Sequence, residues 1–280
     1  MARDTGFPLA DAENDFLRLR RQQVLSALAR RLRFDPDDVN LVLPFDEVVA
    51  ALGYVGERYL GLRVIPLDSV VGSVDRTRDF DRKFRPTSPR VRERWQRIAA
   101  AQRRGEAMPP IDVYRVGDLH FVRDGHHRVS VAYAMRQKSI EAYVTEIRTR
   151  LPATDIRSRG DLLIKDYERV FAARVPLDPA AHRSIQVRDP WSYAMLGEAV
   201  EAWGFRYMQD AGIFLDRAAI AQHWYDEEYL PVVRMMREAR LIGERTEAEA
   251  YLRVSAERYR LIRTHEWNDD VIARLHDVLR

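Results

Sequence analysis

The chain has 280 residues, of which 46% are apolar and 32% charged, enough for one large or two modest domains with real cores and too apolar for a disordered chain. It contains no cysteine, which excludes disulfides, thiolate metal sites and a cysteine nucleophile. No apolar run approaches the ~20 residues of a membrane helix, and no apolar segment follows a basic start, so a cytoplasmic protein without membrane contact is expected.

The net charge of +3 is unevenly placed. Residues 1–150 carry 27 basic and 21 acidic side chains, residues 151–280 carry 19 and 22. Between Arg76 and Arg104 the count is 11 basic to 3 acidic, a block that suits a phosphate-bearing partner or simply a solvated helix face.

Taken in chain order, Ala12 to Leu32 places Phe16, Leu17, Val24, Leu25, Leu28 and Leu32 at helical spacing behind Asp11, a candidate N-cap. Asp35-Pro36-Asp37 breaks that helix. A short helix over 46–52 should end at Gly53. Leu62 to Leu67 reads as a strand, with Pro66 suited to its end. Val70 to Asp75 is expected to enter an irregular, charged loop that continues to Arg85. Ser88 and Pro89 open a helix whose apolar stripe is Val91, Trp95 and Ile98, and Gly105 stops it. Pro109-Pro110 enforces an extended approach to the next strand.

Ile111–Val116 and His120–Val122 read as strands joined through Gly117-Asp118, a hairpin signal. Asp124-Gly125 follows, and from His126 the pattern becomes helical. Ile140–Ile147 is a closing strand. The region is therefore a compact α/β unit ordered strand, helix, hairpin, tight turn, helix, strand.

Beyond Leu151 helix predominates, with segments expected at 162–171, 191–203, 217–229, 232–241, 247–263 and 269–279. Pro231 is expected to restart a helix, and Thr246 with Glu249 forms a capping box. His223-Trp224-Tyr225-Asp226-Glu227-Glu228-Tyr229 reads as a metal or substrate site or, with Trp224 and Tyr225 at helical spacing, as core, and His265-Glu266-Trp267 is no zincin motif because no second histidine follows at helix spacing. This acidic half shows no helix-turn-helix; it reads as a layer for homodimerisation or for shaping a pocket. The expected division is an N-terminal helical extension (1–60), an α/β domain (61–150) and a helical C-terminal domain (151–280), an α+β chain with a mixed sheet.

The chemistry concentrates at Asp124-Gly125-His126-His127-Arg128, where a strand turns into a helix. Amides at a helix start lack partners and, with the helix dipole, favour an anion. Gly125 lets the backbone approach a ligand. Arg128 offers a planar fork for phosphate, His126 or His127 a phosphate contact or proton shuttle, and Asp124 a carboxylate for a hydroxyl, a water or hydrated Mg²⁺. The bland alternative is a capped helix start with packed histidines and a surface ion pair.

Pro109-Pro110-Ile111, Val113-Tyr114-Arg115-Val116-Gly117 and Phe121-Val122-Arg123-Asp124-Gly125-His126-His127-Arg128, with Ile65-Pro66-Leu67-Asp68 as an opening strand, resemble the ParB/sulfiredoxin superfamily over residues 62–147. The resemblance implies that Gly125, His126, His127 and Arg128 contact nucleotide phosphates. Without a cysteine in the box, sulfiredoxin activity is ruled out. The partition proteins' G-E-R-R-x-R-A box and second phosphate motif are also missing here, whereas the free-serine kinases carry a box closer to this one. Those kinases use an acidic residue after the opening strand; Asp75, Asp79 or Asp81 is the candidate base.

The expectation is thus a nucleotide-binding protein using Mg²⁺ with ATP, ADP or CTP, a nucleotide hydrolase or a phosphotransferase to a small hydroxyl compound. The alternatives are a DNA-binding module that uses the Arg76–Arg104 surface and a non-catalytic nucleotide-gated scaffold.

Overall fold

Gly117 turns the expected hairpin with φ +59°, joining β4 (Ile111–Val116) to β5 (Leu119–Asp124). In the computed structural model, which describes residues 5–33, 41–262, 267, 270, 271 and 274, this hairpin lies in the middle of a six-stranded mixed sheet. The strand order is β1 (Leu43–Pro44), β3 (Val70–Ser73), β5, β4, β6 (Ser139–Thr149) and β2 (Tyr54–Pro66). β1, β3 and β5 run parallel, β4 is antiparallel to β5 and parallel to β6, and β2 is antiparallel to β6. The protein is α+β.

Two compact units are formed, Met1–Lys165 and Asp166–Arg280. In the first, α1 (Pro8–Arg33) packs on α3 (Arg92–Arg103), and α3 packs on α4 (His126–Ala134). Phe16 meets Trp95 edge to face with centroids 5.6 Å apart, and the Trp95 indole N–H donates to Ser130 Oγ at 2.8 Å. Val129, Val131 and Ala132 of α4 join Ile111, Val113, Ala142 and Val144 of the sheet in this core. Successive strand residues point to opposite faces, so Tyr114 and Phe121 turn away from it. There Phe45, which opens α2 (Phe45–Leu52), stacks on Tyr114 at 4.6 Å and meets Phe121 at 5.6 Å.

Several expectations are corrected. The N-terminal residues are no separate extension, because α1 belongs to the first unit's core through Ala12, Phe16 and Leu19. Its helix begins at Pro8, so Asp11 is no N-cap: it lies inside the first turn, and its carboxylate accepts from the Thr5 amide and hydroxyl at 3.0 and 2.8 Å. Val70–Ser73 is a strand rather than the start of a loop, because its backbone finds partners in β1 and β5 that no local pattern reveals. The boundary between units falls after Lys165 rather than near 150. The break expected at Asp35-Pro36-Asp37 and the His265-Glu266 pair lie outside the described residues, as does most of the segment 269–279.

The second unit takes in the remainder of α5 (Asp161–Arg174) and α6 (Pro179–Ser184), α7 (Trp191–Ala211), α8 (Arg217–His223), α9 (Leu230–Glu238) and α10 (Glu247–Ile262). Pro231 does not restart a helix after a gap. Instead Trp224–Tyr229 forms a π-helical turn that joins α8 to α9 without interruption. Proline lacks the N–H that would bond four residues back and its ring crowds that carbonyl, which a widened turn relieves. Trp224 is fully buried, as its spacing predicts. The Thr246–Glu249 capping box forms reciprocally, at 3.2 and 3.3 Å.

Candidate functional site

β5 ends at Asp124, Gly125 takes φ +103°, and α4 begins at His126. A Cβ on Gly125 would lie 2.5 Å from Ile111 Cγ2, so glycine is required by both conformation and space. No side chain caps α4, and the amides of its first turn remain available at the corner. A cavity of about 190 Å³ opens there, lined by residues 123–128 together with Asp75, Arg76, Arg94 and Ile98. Sites that enclose a whole drug-sized molecule run to roughly 300–1,000 Å³. The corner therefore has room for a phosphate or diphosphate group and leaves the rest of a larger ligand outside.

Arg128 lines this cavity, but its guanidinium is already engaged. Nη1 donates to the Pro109 and Pro110 carbonyls, each at 2.7 Å, and Nη2 donates to Asp124. Its side chain is only 14% exposed. The expected free fork is thus a brace that ties the Pro109-Pro110 segment to the start of α4. Arg123 is likewise engaged, by Asp112 and across the Tyr114 ring. The cations free to meet an anion are Arg94, which has no ion pair among the described residues, and Arg76, whose one acidic neighbour, Asp79, is 3.6 Å away. Sequence reading missed Arg94 as an individual. Its signal was its place one residue before the core Trp95, which turns it to the helix flank.

The three candidate bases separate. Asp81 is 2% exposed and accepts from the Lys83 and Arg85 amides at 3.0 and 2.9 Å and from the Arg85 guanidinium at 2.7 and 2.8 Å. It staples the loop and does not line the corner cavity. Asp79 faces Arg76. Asp75 is exposed and lines the cavity.

Both histidines are buried, each 5% exposed. His126 Nε2 lies 2.7 Å from Ser73 Oγ, which also accepts the Arg76 amide at 2.9 Å, so β3, the Asp75–Arg76 turn and α4 are joined at one hydroxyl. Burial, reinforced by Arg76, lowers the His126 pKa to about 4; burial with Arg94 and Arg76 does the same for His127. Both imidazoles are therefore neutral at pH 7, and positive potential comes from the arginines and amides. His127 Nδ1 is buried and has no hydrogen-bond partner among the described residues.

Among the described residues no group of three His, Asp or Glu side chains gathers into a metal site. Asp75 and Asp124 both line the cavity, and one or two carboxylates plus substrate phosphates are what Mg²⁺ usually takes. Of the basic block, Arg85, Arg92, Arg103 and Arg104 are paired with Asp81, Glu13, Asp15 and Glu106. Those pairs remove charge from the surface on which a nucleic-acid backbone would lie. In the second unit, His223 pairs with Glu227 at 2.6 Å on the surface, and the buried Trp224 indole donates to the Tyr251 hydroxyl at 3.2 Å, a core contact. No helix of the described residues is long and apolar enough to cross a membrane. Comparison with known proteins gives no match, whether to a family model, a curated protein or a solved structure.

Proposed function

We propose that the corner at residues 124–128 binds the phosphate end of a nucleotide and that the protein is a Mg²⁺-dependent nucleotide hydrolase or small-molecule phosphotransferase. The observation that carries this reading is the coincidence, in one cavity, of an uncapped helix start with Arg76 and Arg94. Amide donors and guanidinium groups held in place before the ligand arrives are what charge-dominated phosphoryl chemistry requires. Asp75 would accept a proton from a hydroxyl or water, and Asp124 would hold Mg²⁺. The metal would neutralise phosphate charge. Arg128 acts by bracing the corner, and His126 and His127 serve as neutral hydrogen-bonding walls.

The test is a calorimetric screen of ATP, ADP, CTP and GTP with Mg²⁺ against the full chain and its Arg94→Ala variant. Binding of at least one nucleotide that weakens in the variant supports the reading. Absence of binding by all four, or equal affinity in the variant, removes it. Turnover with hydroxyl acceptors then separates an enzyme from a nucleotide-gated scaffold.

A further inference from the structure

A second cavity, of about 680 Å³, opens in the first unit and shares no lining residue with the corner. It takes Val74, Thr77, Arg78 and Phe80 from the same loop that gives Asp75 and Arg76 to the corner. Its volume falls within the roughly 300–1,000 Å³ range of small-molecule sites. Val42, Leu43 and Phe80, each 1% exposed, form an apolar floor.

Among the described residues the charge on its walls does not cancel. Three guanidinium groups, Arg30, Arg78 and Arg159, face two carboxylates, Glu47 and Asp81. Arg159 grips Glu47 in two-point fashion, with Nε to Oε2 at 2.6 Å. Asp81 is held by Arg85, which is not part of the wall. Arg30 and Arg78 are left without a carboxylate among the described residues. Arg30 Nε is closed off from solvent and has no hydrogen-bond partner among them. The Thr87 hydroxyl donates to the Arg78 carbonyl at 2.6 Å and fixes that stretch of wall. A roomy cavity with an apolar floor and two cations that have no carboxylate partner among the described residues selects for a particular chemistry: an apolar or aromatic body that carries negative charge at one end.

We propose that this cavity is a binding site for a small organic anion, its charged group between Arg30 and Arg78 and its body on Val42, Leu43 and Phe80. It is distinct from the phosphate corner and does not depend on the reading of that corner.

Anilinonaphthalene sulfonate, an aromatic body with one sulfonate, is the probe. Titrated into the full chain, it should show saturable fluorescence enhancement. The double variant Arg30→Ala, Arg78→Ala should weaken its affinity about ten-fold, the scale of one lost charge-assisted contact, with an unchanged circular dichroism spectrum. Thr77→Phe, which fills the rim without removing charge, should suppress binding, whereas Arg94→Ala at the corner should leave it unchanged. Equal binding by all variants would place the dye elsewhere, such as on the exposed leucines of α1, and would overturn the site. If the double variant does not fold, Thr77→Phe decides: full affinity in it overturns the proposal.

Discussion

Ser73 Oγ lies 2.7 Å from His126 Nε2 and, by also accepting the Arg76 amide, locks the turn that bears Asp75 to the first residue of α4. The two walls of the corner, 53 positions apart in the chain, are thereby held in one register. The hydroxyl can donate to the imidazole only while Nε2 is unprotonated. The lowered pKa of His126 and the geometry of the site are therefore linked.

This linkage sets a pH dependence. His120, His126 and His127 each titrate near 4 in the folded chain, burial being the main cause, against an ordinary value of 6.5. Between those limits the unfolded chain binds more protons, so stability is complete above about pH 6.5 and falls as pH drops toward 4. At about 1.4 kcal/mol per pH unit, each histidine is worth up to about 3 kcal/mol by the bottom of that window. Urea midpoints measured at intervals from pH 7.5 to pH 4.5 should decline, and His126→Asn should flatten part of the slope. A constant midpoint would show that these imidazoles are not held neutral.

Arg128 and Arg94 should have opposite phenotypes. Arg128→Ala deletes three donated hydrogen bonds and leaves the Pro109 and Pro110 carbonyls without that donor. Hydrogen bonds from charged groups are worth about 1.5–3 kcal/mol, so a loss of about 2–3 kcal/mol in urea unfolding is expected. Arg94→Ala, on an exposed helix flank, should change stability by less than about 0.5 kcal/mol while weakening nucleotide binding. A destabilised Arg94 variant with intact binding would reverse the assignment.

The two acidic residues Asp75 and Asp81 divide in the same way. Asp81→Ala breaks a buried pair and frees two loop amides, an expected cost of about 3–5 kcal/mol, with faster proteolysis between residues 78 and 87. Asp75→Asn should leave the unfolding midpoint in place and slow any turnover about 100-fold, the scale of a lost general base. Turnover that survives in Asp75→Asn would remove that residue from the proposed chemistry.

Gly125→Ala should be poorly tolerated. It forces a side chain into the left-handed region and against Ile111 Cγ2, Ile111 Cβ and Arg128 Cζ at 2.5, 2.9 and 3.2 Å. Backbone strain of about 1–2 kcal/mol adds to overpacking of about 1–3 kcal/mol. The companion Ile111→Ala, which removes the colliding Cγ2, should make the double variant less destabilised than the sum of the two single variants; strict additivity would place the strain elsewhere.

Much of the first unit could be read from neighbouring residues. Gly117-Asp118 between two alternating strands specifies a hairpin, Ser88-Pro89 a helix start, and Asp124-Gly125 a corner, and each is found where expected. The short strands β1 and β3 were not legible, since two or four residues show too little periodicity and derive their order from partners remote in sequence. The corner's residues were legible but not their division of labour. Arg128 looked like a ligand because it follows the glycine; its guanidinium is claimed by two proline carbonyls 18 and 19 positions away.

The amino-acid sequence alone determined the turn chemistry, the helical and strand periods and the position of the strand-to-helix corner. All of these arise from backbone preferences and side chains within a few residues of one another. Only the tertiary structure decided that Arg94 and Asp75 face the corner, that Arg128 braces it while Asp81 staples the neighbouring loop, and that Arg30 and Arg78 stand over a second cavity without a carboxylate partner among the described residues. Ion pairing depends on distance through space, and the fold brings together charges that the chain separates by tens of residues.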